Sequence, residues 1–272
     1  MDEFDRYASD YTDLLDESVS ASGYGWEYFA DYKANYLAGL ARLAPRKILD
    51  FGCGIGLLSR CLVKRFPSAA LHGYDVSSAS VEKAAEALSG AGSFTTDLDS
   101  LDDDYDLVVA ANVLHHVPVQ ERRQTVVDLA KRLSADGLLA LFEHNPVNPL
   151  TRRAVDRCAF DDDAVLLSMH EAAGYVRQAG LHVARRDYIV FMPKRLAPLR
   201  FVEPLLSWCP LGAQYVVVGG GTRVVGCGFL RGCEGRTCGR RWSHLCRDRS
   251  LSASITNRVL PTTTRRHILR GS

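Results

Sequence analysis

The chain has 272 residues, 47% hydrophobic and 24% charged, enough to bury the core of one large domain. No apolar run approaches the roughly 18 residues of a bilayer span. The first 17 residues carry seven acids against the single base Arg6, the reverse of a signal or transit peptide, so the cytoplasm is the expected compartment. A net charge of +1 hides −8 over residues 1–218 and +9 over residues 219–272, which excludes the body as a nucleic-acid binder on charge.

In chain order, residues 1–25 form an acidic arm whose Tyr7, Tyr11 and Tyr24 are placed to fold over a ligand as a lid. An amphipathic helix follows from Trp26 to Leu43. Arg46 to Phe51 is a first strand, closed by a glycine-rich turn and a helix from Leu57 to Phe66. Ala69 to Tyr74 is a second strand. Ser77 or Ser78 can cap the next helix, which runs to Leu88 before Gly90. Ser93 to Thr96 and Tyr105 to Ala111 are the third and fourth strands, the latter with the continuous apolar run of a strand buried on both faces. Pro118 opens a helix to Leu133. Asp136-Gly137 then turns into a fifth strand, Leu138 to Glu143. Ser168 and Glu171 make a capping box for a helix that ends at Gly180. His182 to Phe191 and Gln214 to Val218 complete seven strands. Strands alternating with helices specify an α/β fold with a doubly wound, mostly parallel sheet over residues 26–218.

Beyond Val218 the periodicity stops. Residues 219–272 hold 11 Arg, no Lys and two acids with little apolar clustering, and are expected to be disordered, the abrupt change suggesting a frameshifted or non-native segment. Cys53, Cys61, Cys158 and Cys209 read as small buried hydrophobes. Cys227, Cys233, Cys238 and Cys246, with His244, are not expected to bind zinc, and no metal is expected elsewhere.

The strongest motif is Asp50-Phe-Gly52-Cys-Gly54-Ile-Gly56, between a strand and a helix. Glycines there allow a sharp turn and close approach of backbone to a ligand at the carboxyl end of the sheet. A dinucleotide fingerprint would need its third glycine at Leu57, so a nicotinamide-dependent oxidoreductase is disfavoured. Asp50 suits a cationic amino group and is awkward beside a pyrophosphate.

These residues resemble a class I S-adenosylmethionine-dependent methyltransferase over roughly residues 25–218. The resemblance implies a Rossmann-like seven-stranded sheet with an antiparallel seventh strand, and S-adenosylmethionine as cofactor. Residues 50–56 match the first motif, with Gly52, Gly54 and Gly56. Asp75, followed by Val76, matches the acid that holds the ribose hydroxyls. Asp97, followed by Leu98, matches the acid that reaches the adenine amino group. The run Ala111-Asn112-Val113-Leu114-His115-His116-Val117 resembles the segment lining the cofactor pocket. A carboxylate-rich, phosphate-free cleft suits a cofactor with a sulfonium and an ammonium.

Methyl transfer needs the acceptor close and aligned, and a hydroxyl acceptor also needs a base. The candidates are His115, His116 and above all His144, which leaves the fifth strand between Glu143 and Asn145, either of which would orient it. An unperturbed imidazole titrates near about 6.5, so turnover should rise with pH through neutrality. Residues 145–161, with two Asn-Pro pairs, interrupt the alternation and are expected to shape substrate access. The partner implied is a small-molecule acceptor, loosely of the glycan or natural-product kind, with no nucleic acid and no membrane. The rival reading is a non-catalytic module that binds the same cofactor.

Overall fold

A computed structural model describes residues 16, 19–40, 44–158, 161 and 163–221, and arranges seven strands among them in one sheet. These are β1 (Lys47–Phe51), β2 (Ala70–Tyr74), β3 (Ser93–Thr95), β4 (Tyr105–Ala111), β5 (Leu133–His144), β6 (His182–Ile189) and β7 (Gln214–Gly220), in the order β3-β2-β1-β4-β5-β7-β6. β1 to β5 pair in parallel, and β7 runs antiparallel to both β5 and β6. The helices are α1 (Trp26–Ala38), α2 (Leu57–Arg65), α3 (Ser78–Ala87), α4 (Val119–Lys131), α5 (Pro149–Val155) and α6 (Met169–Gln178). None of these helices is long and apolar enough to cross a membrane.

The side-chain period of two divides the central strands between two cores. Ile48, Leu107, Val109, Phe142 and Val216 pack with Leu37 of α1 and Leu62 of α2. Their neighbours Leu49, Val108, Leu141, Tyr215 and Val217 pack on the other face with Val126 of α4 and Val176 of α6. A fully buried leucine such as Leu107 contributes about 2 kcal/mol through lost apolar hydration. The chain crosses from the β1–β2–β3 side to the β4–β5 side beside β1, and a crevice opens outside the carboxyl ends of the strands at that reversal.

Local signals explain most boundaries. Ser77 caps α3 by accepting the Ser80 N–H, and Ser168 with Glu171 forms the expected capping box of α6. Asn148 caps α5, accepting the N–H groups of Leu150 and Thr151, with Pro149 in the first turn. Each such cap is worth about 1 kcal/mol.

Of the expected boundaries that move, three bear on the sheet and its first helix. The amphipathic helix closes at Ala38 rather than Leu43, where the Gly39 N–H returns to the Asn35 carbonyl; residues 41–43 lie outside the described segments. β5 begins at Leu133, because Asp136-Gly137 forms part of a bulge and not a turn ahead of the strand: Tyr105 pairs with Leu133 and Leu107 with Leu138. β7 continues through Gly219 and Gly220, paired with Leu139 and Leu138, so the boundary expected at residue 218 falls inside a strand. Tyr7, Tyr11, residues 222–272 and the four cysteines among them lie outside the described residues.

Candidate active site

The crevice holds a cavity of about 600 Å³ lined from both sides of the reversal. At the β1–β2 side its wall is the loop after β1. Gly52 has φ +75°, and a Cβ there would sit 2.4 Å from Val113 Cγ2, so only glycine admits the close approach of this loop to the segment after β4. Gly56, at φ +81°, does not line the cavity. It caps α2, and a side chain there would meet Leu88 Cδ1 at 2.9 Å, so it serves the packing of α2 on α3. Gly54 lines the cavity, and its N–H donates to Asp75 Oδ2 at 2.7 Å.

The Asp75 carboxylate also accepts the Ser77 N–H through Oδ1, at 3.0 Å. These two backbone donors hold it in place on the cavity wall at the end of β2. Val76 lines the cavity beside it, half exposed. Asp97 and Leu98 do not reach the cavity wall: the Asp97 carboxylate accepts the Asp99 N–H and caps a short 3₁₀ turn at Leu98–Ser100.

Asp50 is buried at the end of β1 and accepts the Ser59 hydroxyl at 2.6 Å. Burial, partly offset by that hydroxyl, pushes its carboxyl up to about 6. Asn112 stands at φ +59°, a left-handed conformation that asparagine tolerates better than most residues. Its Oδ1 is buried against the cavity without a hydrogen-bond partner. The glycine loop, the Asp75 carboxylate on the cavity wall and this orphaned acceptor fit a polar cofactor that offers hydroxyl and amino donors.

At the other end the wall is made of histidines. His115, His116 and His144 all line it, as expected. The orientation foreseen for His144 is not the one found. β5 remains extended through His144, so alternation turns Glu143 away from the cavity. Glu143 Oε1 accepts the N–H groups of Val113 and Leu114, and Oε2 lies 2.6 Å from His115 Nδ1. Glu143 thus orients His115. The Asn145 amide donates to the carbonyls of Pro210 and Gly212. Neither flanking residue holds His144.

Burial and the neighbouring His115 lower His144 to about 4, below the range near neutrality expected for it. For His115 burial also acts downward, but Glu143 and Asp161 outweigh it and raise the group to about 9. Asp161 Oδ1 lies 3.5 Å from His115 Nε2 and 3.3 Å from His116 Nε2. Burial would raise Asp161, yet His115 and His116 hold its carboxyl far below the usual carboxylate range. The segment leading from Asp161 is tied to β4's end: the Val165 N–H donates to the His115 carbonyl, and buried Arg122 donates to the carbonyls of Val117, His115 and Val165.

Lys33 and Asp161 were not foreseen. Lys33 comes from α1, the helix whose Trp26, Phe29 and Ala30 close the cavity from above, and it is 5% exposed. Burial lowers its ammonium to about 8 against the pull of Glu143 and Asp50. Among the described residues no ion pair or hydrogen bond reaches it. Its signal was present in the helical pattern, where Lys33 interrupts the stripe Ala30, Ala34, Leu37. Asp161 carried none, standing in a run of three aspartates that reads as solvated surface. Tyr24, expected in a lid, instead stacks on Tyr28 at 3.8 Å, with Arg200 over the Tyr28 ring at 4.5 Å.

A sheet of this order, with glycine and aspartate at the ends of β1 and β2, defines a Rossmann-like methyltransferase fold. Comparison with known proteins agrees. Residues 49–139 match a methyltransferase domain family. Trans-aconitate 2-methyltransferase of Mycobacterium ulcerans (strain Agy99) is 30% identical over 199 residues, 66% of this chain and 72% of that protein. Its counterpart in Methylobacterium nodulans is 31% identical over 137 residues, 48% of this chain and 52% of that one. Among solved structures, magnesium protoporphyrin IX methyltransferase from Synechocystis PCC 6803 with bound SAM superposes with a TM-score of 0.52 at 19% identity, covering 76% of this chain and 84% of that one. A TehB-like SAM-dependent methyltransferase from Corynebacterium glutamicum gives 0.55 at 17%, covering 80% and 99%. The chain belongs to the class I S-adenosylmethionine-dependent methyltransferases. It is an enzyme of methyl transfer, and S-adenosylmethionine is its cofactor.

Proposed function

We propose that the chain methylates a carboxylate oxygen of a small organic acid. The observation that carries this reading is the buried Lys33 ammonium, unpartnered among the described residues, on the cavity wall. Glu143 and Asp50 pull on this ammonium without pairing with it, burial still prevails, and an anionic ligand would offset the remaining cost. The relatives named trans-aconitate 2-methyltransferase carry a small organic anion in their names, and this class replaces glycan or natural-product acceptors as the first to test.

Asp50, Gly52, Gly54, Asp75, Val76 and Asn112 would hold the cofactor, which supplies an electrophilic methyl group when bound. Asp75 bridges hydroxyls, Asn112 Oδ1 accepts a hydrogen bond, and Asp50 offers negative charge to an ammonium. Asp97 and Leu98 retain a role at the adenine only if the 3₁₀ turn at Leu98–Ser100 rearranges. At the acceptor end the residues position and exclude water. α1 closes the cavity, His144 and His116 line it, and Lys33 pairs with an acidic group. A carboxylate is ionised at neutral pH and needs no base, so alignment supplies the rate. His144 and His115 then act as positioning groups, which agrees with the displacement of both from neutrality.

The test is release of S-adenosylhomocysteine with a panel of small di- and tricarboxylates, alongside phenols, alcohols and amines of similar size. Turnover with carboxylates and an ester product is the expected result. Turnover with hydroxyl or amine acceptors alone would overturn the proposal.

A further inference from the structure

We propose that His115, His144 and Asp161 form a binding site for a divalent first-row transition metal ion, of which zinc is the type, at the acceptor end of the cavity. The three come from separate parts of the chain: the segment after β4, the last residue of β5, and the segment beyond α5. Yet one ligand atom from each lies within 4.8 Å of the other two. All three line the same cavity, so an ion has a way in and one side of its coordination sphere stays open.

The carboxylate gives the second observation. Asp161 Oδ1 is buried, with His115 Nε2 at 3.5 Å and His116 Nε2 at 3.3 Å, but no hydrogen bond reaches it with acceptable geometry. A buried carboxylate oxygen left without a hydrogen bond beside imidazole nitrogens is open to a cation. Tetrahedral bonds of about 2.0–2.2 Å set ligand atoms roughly 3.3–3.5 Å apart, which is the His115–Asp161 separation.

The third observation is the support behind His115. A histidine ligand characteristically donates its other ring N–H to a carboxylate that fixes tautomer and orientation. Glu143 Oε2 stands 2.6 Å from His115 Nδ1, and Glu143 is itself held by two backbone N–H groups. This presents His115 Nε2 to the cavity. Glu143 and Asp161 also place two buried negative charges about one imidazole. An imidazole, imidazole and carboxylate set suits zinc, iron(II), cobalt(II) or nickel(II) rather than magnesium or calcium. With three protein ligands the remaining position faces the acceptor, where it would orient a carboxylate oxygen. That role rests on the acceptor proposed above, while the binding itself does not.

The experiment uses the full chain, stripped with a chelator and titrated with zinc(II) by calorimetry and with cobalt(II) by visible absorption. Wild type should show ligand-field bands and one equivalent that Asp161→Asn and His144→Ala each lose, with circular dichroism and S-adenosylmethionine binding retained. Glu143→Gln should weaken the same equivalent about 10–100-fold. Thiolate charge-transfer bands would mark ion held by cysteines instead. Stoichiometry and ligand-field bands unchanged in Asp161→Asn and His144→Ala, or no thiolate-free binding in wild type, would overturn the proposal and leave Glu143, His115 and Asp161 as an electrostatic cluster. Metal binding without turnover of any organic acid would refute the acceptor reading alone. Carboxylate turnover with no metal bound would refute the metal alone.

Discussion

At the Gly52–Asp75 end of the cavity the wall is largely backbone, and at the His115–Asp161 end it is side chains. The first is local. Gly52, Gly54 and Asp75 lie within 24 residues, and paired strands β1 and β2 bring them together. The second is assembled at long range from α1, the ends of β4 and β5, and the segment beyond α5. A backbone cradle tolerates no side chain at Gly52. A side-chain wall can be exchanged residue by residue without moving the sheet. The proposed function puts cofactor specificity in one half and acceptor specificity in the other, and substitutions can test the division.

The largest effect is expected at Asp75. Asp75→Ala removes charge-assisted hydrogen bonds worth roughly 1.5–3 kcal/mol each and strips Gly54 and Ser77 of their acceptor. S-adenosylmethionine affinity should fall by about one to three decades, measured by calorimetry. An unchanged dissociation constant in a folded variant would remove Asp75 from the site. His144→Ala should do the reverse, lowering turnover about 10²-fold by misplacing the acceptor while leaving cofactor affinity nearly unchanged. If both variants lose cofactor affinity equally, the two halves are one unit and the comparison fails.

The same division governs how much the sequence revealed. Strand alternation and the continuous apolar run of β4 gave the sheet and its order of elements, since both follow from burial. The glycine loop was legible because backbone geometry demands particular residues there. Asp136-Gly137 misled because a bulge and a turn draw on the same residue types, and pairing across to Tyr105 decides between them. Lys33 had a faint signal, a charge on an apolar helix face. Asp161 had none, because nothing local marks one aspartate among three, and only tertiary folding brings it to His115.

Lys33 sharpens the comparison from the stability side. Its folded-state value, about 8, lies below the ordinary 10.5, so its contribution is fully present above 10.5 and lost as pH falls through 8. Without ligand, the wild type should gain stability between those limits. Lys33→Met should flatten that slope and stabilise the protein near neutrality by on the order of 1 kcal/mol or more, because a desolvated charge is gone. The same variant should raise the KM for an acidic acceptor. A melting temperature that falls in Lys33→Met would show that the ammonium has a counter-ion.

The smallest effect is expected from shortening the chain. Composition separates residues 222–272 from the body, arginine-rich and without the apolar periodicity that builds either core, and a segment of that kind adds little to folding free energy. The position of the cut matters more than its length. Ending at Val218 would delete Gly219 and Gly220, which pair with Leu139 and Leu138 on one side and with Val183 and His182 on the other. Both flanking strands would lose ladder hydrogen bonds at once. Ending after Gly221 keeps them. The longer version should melt within about 2 °C of the full chain with unchanged cofactor affinity, a stability change well under about 1 kcal/mol for a domain of this size. The version ending at Val218 should melt measurably lower than the one ending after Gly221. Equal melting of the two would show that the end of β7 contributes nothing. A large loss in both would show that residues beyond 221 belong to the folded body.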